Sequence, residues 1–197
     1  MNSLQVTIEP TAEPLGLDEA KEFLRVDHSD EDALILSFIA AAREYCETVT
    51  GRHFTTRTVK SYWDEWPKGN VLDMPRPFTD STASPVVKYY AEGSTSATTL
   101  AASSYWVDNQ HEPGRIVLRS SQSWPSTALR TANAVEVTFT TGYGPEADVP
   151  EGVKHAMRLL VSHWYANREA VLTGTISKTI EYGVHWLLGP HMVAQVP

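Results

Sequence analysis

A change of period inside one stretch, Val135 to Arg168, restricts the folds open to this chain more than any other feature. The stretch VEVTFTTGYGPEADVPEGVKHAMRLLVSHWYANR reads as strand, glycine turn and helix. Val135, Val137 and Phe139 alternate with Glu136, Thr138 and Thr140, the period of a half-buried strand. Gly142 and Gly144 flank Tyr143 and stop the strand, because glycine accepts backbone angles that other residues avoid. Pro150 stands where a helix can begin, since the first turn does not need its missing N–H. From there Val153, Ala156, Met157, Leu160, Val161 and Trp164 make one buried helical stripe. Nothing here is a catalytic constellation, and Tyr143 reads as a buttress of the strand-to-helix corner.

Two helices precede this stretch. Leu17 to Arg25 is a short one, with Leu17, Ala20 and Leu24 on one face, Phe23 beside them, and Asp18 and Glu19 at the positive end of its dipole. Gly16 stands at its cap position, where Ser or Thr would be stronger by a few tenths of a kcal/mol. Ser29 then caps a longer helix, with the Asp32 side chain reaching back in a capping-box-like arrangement. Ile35, Phe38, Ile39, Ala42, Tyr45 or Cys46, and Val49 form its stripe, and Gly51 is placed as a left-handed stop. Asp30, Glu31 and Asp32 crowd its first turn; they lack calcium-loop spacing and an internal glycine, so they read as capping charges on a solvated face. This helix matches the 151–168 helix in length, and the two pair as the heart of a small helical bundle.

Between them, residues 55–142 lose helical period. Thr56–Trp63, Val71–Met74, Pro85–Ala91, Tyr105–Asp108, Arg115–Arg119 and Asn133–Thr140 are strand candidates separated by Pro, Gly, Ser and Asn. They suggest a small antiparallel sheet or barrel-like insert, with Ser94–Ser104 as a hairpin or loop. The fold class is therefore α+β: a helical bundle built from 17–52 and 150–170, an antiparallel β-rich insert over 55–142, and extended termini, together one domain over 1–197. Residues 1–16 read as an arm, in which Val6 and Ile8 alternate before Pro10 and Pro14; an added strand and a frayed end are both open. At the other end, Gly174, Thr175 and Ser177 suggest a link, and Val184, Trp186, Leu187, Leu188, Met192 and Val193 make an apolar tail over 174–197, with a helical turn from Val184 broken at Gly189-Pro190. Such a tail either folds back or docks on another chain.

Composition narrows the function classes. Hydrophobic residues are 42% and charged residues 20% of the 197, as in ordinary soluble proteins, and no apolar run approaches the ~20 residues of a membrane span. MNSLQVTIEP lacks the pattern of a signal peptide. Cys46, the one cysteine, excludes an internal disulfide, fits a reducing cytosol and reads as a small buried hydrophobe. The net charge is −8, and Glu13 to Asp32 alone holds eight acids against two bases, which disfavours a grip on DNA phosphates. P-loop, GxGxxG, HExxH, CxxC and GxSxG patterns are absent. His155 and His163 are two helical turns apart, and His185 and His191 straddle Gly189-Pro190, so neither pair is a metal site as it stands.

TTGYG with VPEGVKHAMRLLVSHWYANRE resembles the C-terminal signature of the head–tail connector (adaptor) proteins of long-tailed bacteriophages. LDEAKEFLRVDHSDEDALILSFIAAAREYCETVTGR, residues 17–52, is similar to the same family's N-terminal signature, and SPVVKYYAEGSTSATTLAASSYWVD followed by PGRIVL and SWP looks like its middle region. The resemblance implies a structural virion protein and no enzyme, with no catalytic residues, cofactor or metal. It implies a ring of identical subunits, commonly dodecameric, under the portal protein, assembled in the host cytoplasm and located in the virion neck. Such a ring extends the DNA channel and carries a stopper, tail-terminator or other neck protein. Double-stranded DNA passes the lumen without sequence-specific binding, which an acidic ring favours by repelling phosphate, and no membrane is involved. The tail then supplies the portal contact, with Val184, Trp186, Leu187, Leu188, His191, Met192 and Val193 as candidates. Ile35, Phe38, Ile39, Ala42, Val153, Met157, Leu160 and Trp164 pack the core. Two other classes stay open: a carbohydrate- or ligand-binding module using Trp63, Trp66, Trp106 and Trp124, and a small metal-dependent hydrolase using the histidines.

Overall fold

The computed structural model describes residues 3–78, 84–168 and 176–193, the last segment with side chains from Tyr182 onward. Gly174 and Thr175 of the expected link, residues 169–170 of the expected core helix and residues 194–197 of the expected tail lie outside the described residues. The chain divides into two compact units.

The helical unit is drawn from residues 10–55 and 143–192. It holds α1 (Leu17–Leu24), α2 (Asp32–Thr50), α3 (Glu151–Ala166) and α4 (Ile176–Leu188), the last followed by a 3-10 turn over Gly189–His191. The i, i+3/i+4 spacing of α2 and α3 puts Ile35, Ile39, Ala42 and Cys46 against Val153, Ala156, Met157, Leu160 and Val161 in one buried cluster. Phe38 and Trp164 lie half-buried at its margin, their rings 6.3 Å apart. Of the pair left open on α2, Cys46 is buried and Tyr45 is exposed. Burial pushes the Cys46 thiol up to about 12. Gly51 closes α2 in the left-handed region at φ 70°.

Two expected caps differ. The Ser29 hydroxyl does not cap α2; its carbonyl accepts from the Asp32 N–H at 3.3 Å, and Glu31 is the cap residue, with no side-chain bond to the helix's own first turn. The Asp32 carboxylate is engaged elsewhere, 2.7 Å from Lys21 Nζ. A charged partner outcompetes a backbone amide for it. The first helix ends one residue early, because Arg25 turns left-handed at φ 59° while the Val26 N–H returns to the Lys21 carbonyl.

Ser177, expected in the link, and the helical turn expected from Val184 lie instead in one continuous helix, α4. Val184 and Leu188, four residues apart on one face, are both buried in the helical cluster. That burial supplies what the local sequence does not show.

The β unit is drawn from residues 3–9 and 56–142 with Val193. Its strands are β1 (Ser3–Ile8), β2 (Arg57–Trp63), β3 (Val71–Asp73), β4 (Val86–Tyr89), β5 (Thr98–Thr99), β6 (Tyr105–Asp108), β7 (Arg115–Leu118) and β8 (Val135–Thr141). They make two antiparallel sheets, ordered β1-β2-β8-β4-β5 and β3-β7-β6. The arm resolves as an edge strand, with Leu4 opposite Ser61 and Val6 opposite Val59. Inward residues of both sheets, among them Val59, Leu72, Val87, Ile116, Val137 and Phe139, form a second buried cluster. Glu136, expected on the wet side of β8, is only 4% exposed. It sits on the central strand, with Lys60 Nζ at 3.0 Å and the Tyr90 hydroxyl at 3.2 Å covering and satisfying it.

Candidate interaction surface

The expected portal-contact residues separate by depth. On α4, Val184 and Leu188 point into the helical core, Leu187 is half-buried against it, and Trp186 is 82% exposed. Tyr182, one turn before Trp186, is exposed as well. Period 3.6 places residues 182 and 186 on the face opposite 184 and 188, so one short helix is an anchor on one side and an aromatic surface on the other. Met192 is exposed, while His191 and Val193 are half-buried.

Three side chains hold the turn that follows α4. Arg52 Nε donates to the His191 carbonyl at 2.8 Å. The Tyr143 hydroxyl lies 3.0 Å from His191 Nδ1, with the two rings edge to face. The Arg52 guanidinium stands 5.5 Å from the Tyr143 ring centre, and the Phe54 ring stacks with that ring at 6.4 Å between centres. Burial, and after it the Arg52 charge, hold the His191 imidazole below its ordinary value. Tyr143 thus braces the end of α4, which the sequence did not suggest: His191 is 48 residues away from it. Gly144 sets the direction of this segment at φ 147°, and a Cβ there would meet the Asp148 carboxylate at 2.3 Å.

The acidic N-terminal segment is not simply solvated. Glu13 pairs with Arg43 at 2.7 Å, Asp32 with Lys21, Glu19 with Arg158, and Glu31 with both Tyr165 and Arg168. The Tyr165 hydroxyl and then the Arg168 guanidinium hold the Glu31 carboxyl below the usual carboxylate range. The Glu19 and Glu31 contacts staple α1 and the start of α2 to α3 and the residues just after it, while Asp32 ties α2 to α1 and Glu13 ties the preceding segment to α2. The other four acids of the segment, Asp18, Glu22, Asp27 and Asp30, are exposed and in no ion pair among the described residues.

The tryptophans of the β unit are taken up in separate contacts. Trp66 and Trp124 stack on each other at 4.8 Å, and Trp124 Nε1 donates to the Gly69 carbonyl at 2.7 Å. Trp63 packs at the margin of the β core. Trp106 is exposed, but the Arg119 guanidinium covers its face at 3.5 Å. The histidines disperse: His155 meets Phe23 edge to face, His163 meets Asn167, and His191 meets Tyr143. Among the described residues, no three His, Cys, Asp or Glu side chains gather as metal ligands, and no helix is long and apolar enough to cross a membrane.

A family model, that of the head completion protein, matches residues 15–191. The chain belongs to the head completion protein family. As a member it is a structural head–tail connector, or adaptor. No curated protein sequence matches it. Its fold is shared with chains of gene transfer agent particles. One is from the neck of an empty particle computed with C6 symmetry, 20% identical, with a TM-score of 0.81 over 99% of this chain and 97% of that one. Another is from the virion of a native particle, 21% identical, TM-score 0.79, covering 98% and 97%. A third is from the neck of a native particle computed with C12 symmetry, 20% identical, TM-score 0.77, covering 99% and 97%. At these identities the likeness is one of fold.

Proposed function

We propose that this head completion protein forms a ring of identical copies in the virion neck, under the portal, where it extends the DNA channel and offers a platform to the next neck or tail component. The family match over residues 15–191 carries the reading. The C6 and C12 necks that share the fold support a cyclic assembly, for which a dodecamer is the natural count. The protein acts by shape and contact rather than by catalysis. Duplex DNA passes the ring without base-specific contacts, and the net charge of −8 per copy favours its sliding.

Portal contact falls to the outward side of the C-terminal segment: Trp186 first, with Met192 and the half-buried Leu187, His191 and Val193 beside it. Val184 and Leu188 serve as its internal anchors. Exposed tryptophan is the residue most enriched among binding hot spots. Cutting the chain at Gly183 would strip the core, so the informative variants are smaller. Trp186→Ala with Tyr182→Ala is expected to keep the melting temperature and lose at least about tenfold in portal affinity, measured by co-sedimentation with purified portal. Unchanged portal binding by that variant would remove α4 as the contact.

A further inference from the structure

Register shows what the outward face of the five-stranded sheet presents. Gln5, Lys60, Thr138 and Val86 lie directly opposite one another across β1, β2, β8 and β4. The next row is Tyr62, Glu136, Lys88 and Thr99, and a third pairs Ile8 with Thr58 and Thr140. Opposed residues of an antiparallel sheet share a face. The one acid in these rows, Glu136, is buried and spent on Lys60. Lys88 is in no ion pair among the described residues. Arg130 stacks 3.7 Å over Tyr90, the residue whose hydroxyl reaches Glu136, and donates from Nε to a backbone carbonyl, that of Asn133, at 3.1 Å. The face therefore keeps two uncompensated cations. It also exposes two aliphatic side chains, Val86 at 41% and Ile8 at 62%.

The complement lies on the other unit. Residues 10–55 and 143–192 carry fifteen acids and eight bases, a net −7, whereas the rest of the chain carries nine and eight, a net −1. On the helical unit Asp18, Glu22, Asp27 and Asp30 are exposed and in no ion pair among the described residues, and Phe23 among them is exposed as well. We propose that the outward face of the five-stranded sheet, centred on Lys88, Arg130 and Val86, docks the acidic α1 end of a second copy of this chain. The inference rests on the ring reading and names the contact that would close the ring. Two different surfaces of one chain in contact make a heterologous interface, the kind that propagates head to tail and closes into a cycle. Opposite charge sets partner and register, and Phe23 against Val86 supplies apolar area.

The test uses two full-length variants. Lys88→Glu/Arg130→Glu blocks the sheet face and leaves the acids; Glu22→Lys/Asp27→Lys blocks the acids and leaves the sheet face. Lys88→Glu/Thr99→Glu is the substitute for the first, since it leaves the Arg130 contacts intact. Sedimentation velocity follows self-association of each alone and of a one-to-one mixture, at low and at high salt. Each variant is expected to self-associate at least about tenfold more weakly than the natural chain. The mixture is expected to form a dimer that grows no further, and the natural chain to dissociate as salt rises. A variant that assembles like the natural chain, a mixture that does not pair, or a natural chain that stays monomeric throughout overturns the proposal. So does duplex DNA binding that is lost in the first variant while its self-association is unchanged, which would assign the face to nucleic acid. A Lys88→Glu/Arg130→Glu ring still formed on portal sinks this interface and leaves the connector reading standing; no ring on portal from any chain sinks the connector reading itself.

Discussion

At the scale of single residues, the positions that matter are those that bend or pin the chain. Gly144 is strained for any other residue, both by its φ of 147° and by the Asp148 carboxylate standing where a Cβ would go. Gly144→Ala is expected to cost about 1–3 kcal/mol, read as a lowered urea midpoint with an unchanged slope. His191 gives a pH signature. Its imidazole is held below the ordinary value by burial and then by Arg52, so the fold favours the neutral ring. Its contribution is complete above about pH 6.5, the unfolded value, and is lost as pH falls from there through the lower folded value. The natural chain should therefore lose more melting temperature than His191→Phe between about pH 7.5 and pH 5.5, by differential scanning fluorimetry. Equal losses would show that the folded turn leaves the His191 imidazole as easily protonated as the unfolded chain does.

At the scale of elements, α4 is where sequence reasoning fell short. The apolar run from Val184 to Val193 was visible as a tail, but its division into a buried and an exposed side was not. A helix of this length is marginal alone and takes its stability from the face it buries. Leu188→Ala is expected to destabilise by about 2–5 kcal/mol, as deletions of buried leucine do, while Trp186→Ala stays within about 0.5 kcal/mol, as exposed substitutions do; chemical denaturation of the two variants compares them. Elements with a strong period were legible: α2, α3 and six of the strands stand within a residue or two of where alternation or stripe placed them. β5, two residues long, carries no period to read. The cap of α2 was missed because the same Asp32 could serve a backbone amide or Lys21, and only tertiary proximity chooses. The Arg52, Tyr143 and His191 cluster was invisible for the same reason, its members being far apart in sequence.

At the scale of the whole molecule, charge is segregated. Nearly all of the net −8 belongs to the helical unit, and there the ion pairs of Glu13, Glu19, Glu31 and Asp32 leave four neighbouring acids in no ion pair among the described residues. A chain with one acidic unit and one nearly neutral unit that bears a cationic sheet face is polarised in the way that head-to-tail assembly uses. The family was legible from the two helical signatures in the first and last thirds of the chain, segments that pack against each other in one core. The assembling surfaces were not legible, since exposure and pairing of charges are settled only once the chain folds. The central claim is that copies of this chain encircle a channel on the portal. Electron microscopy of the purified protein mixed with its portal tests it directly: the account predicts a ring coaxial with the portal, with a central opening wide enough for duplex DNA, and a portal left bare beside free monomers would contradict it.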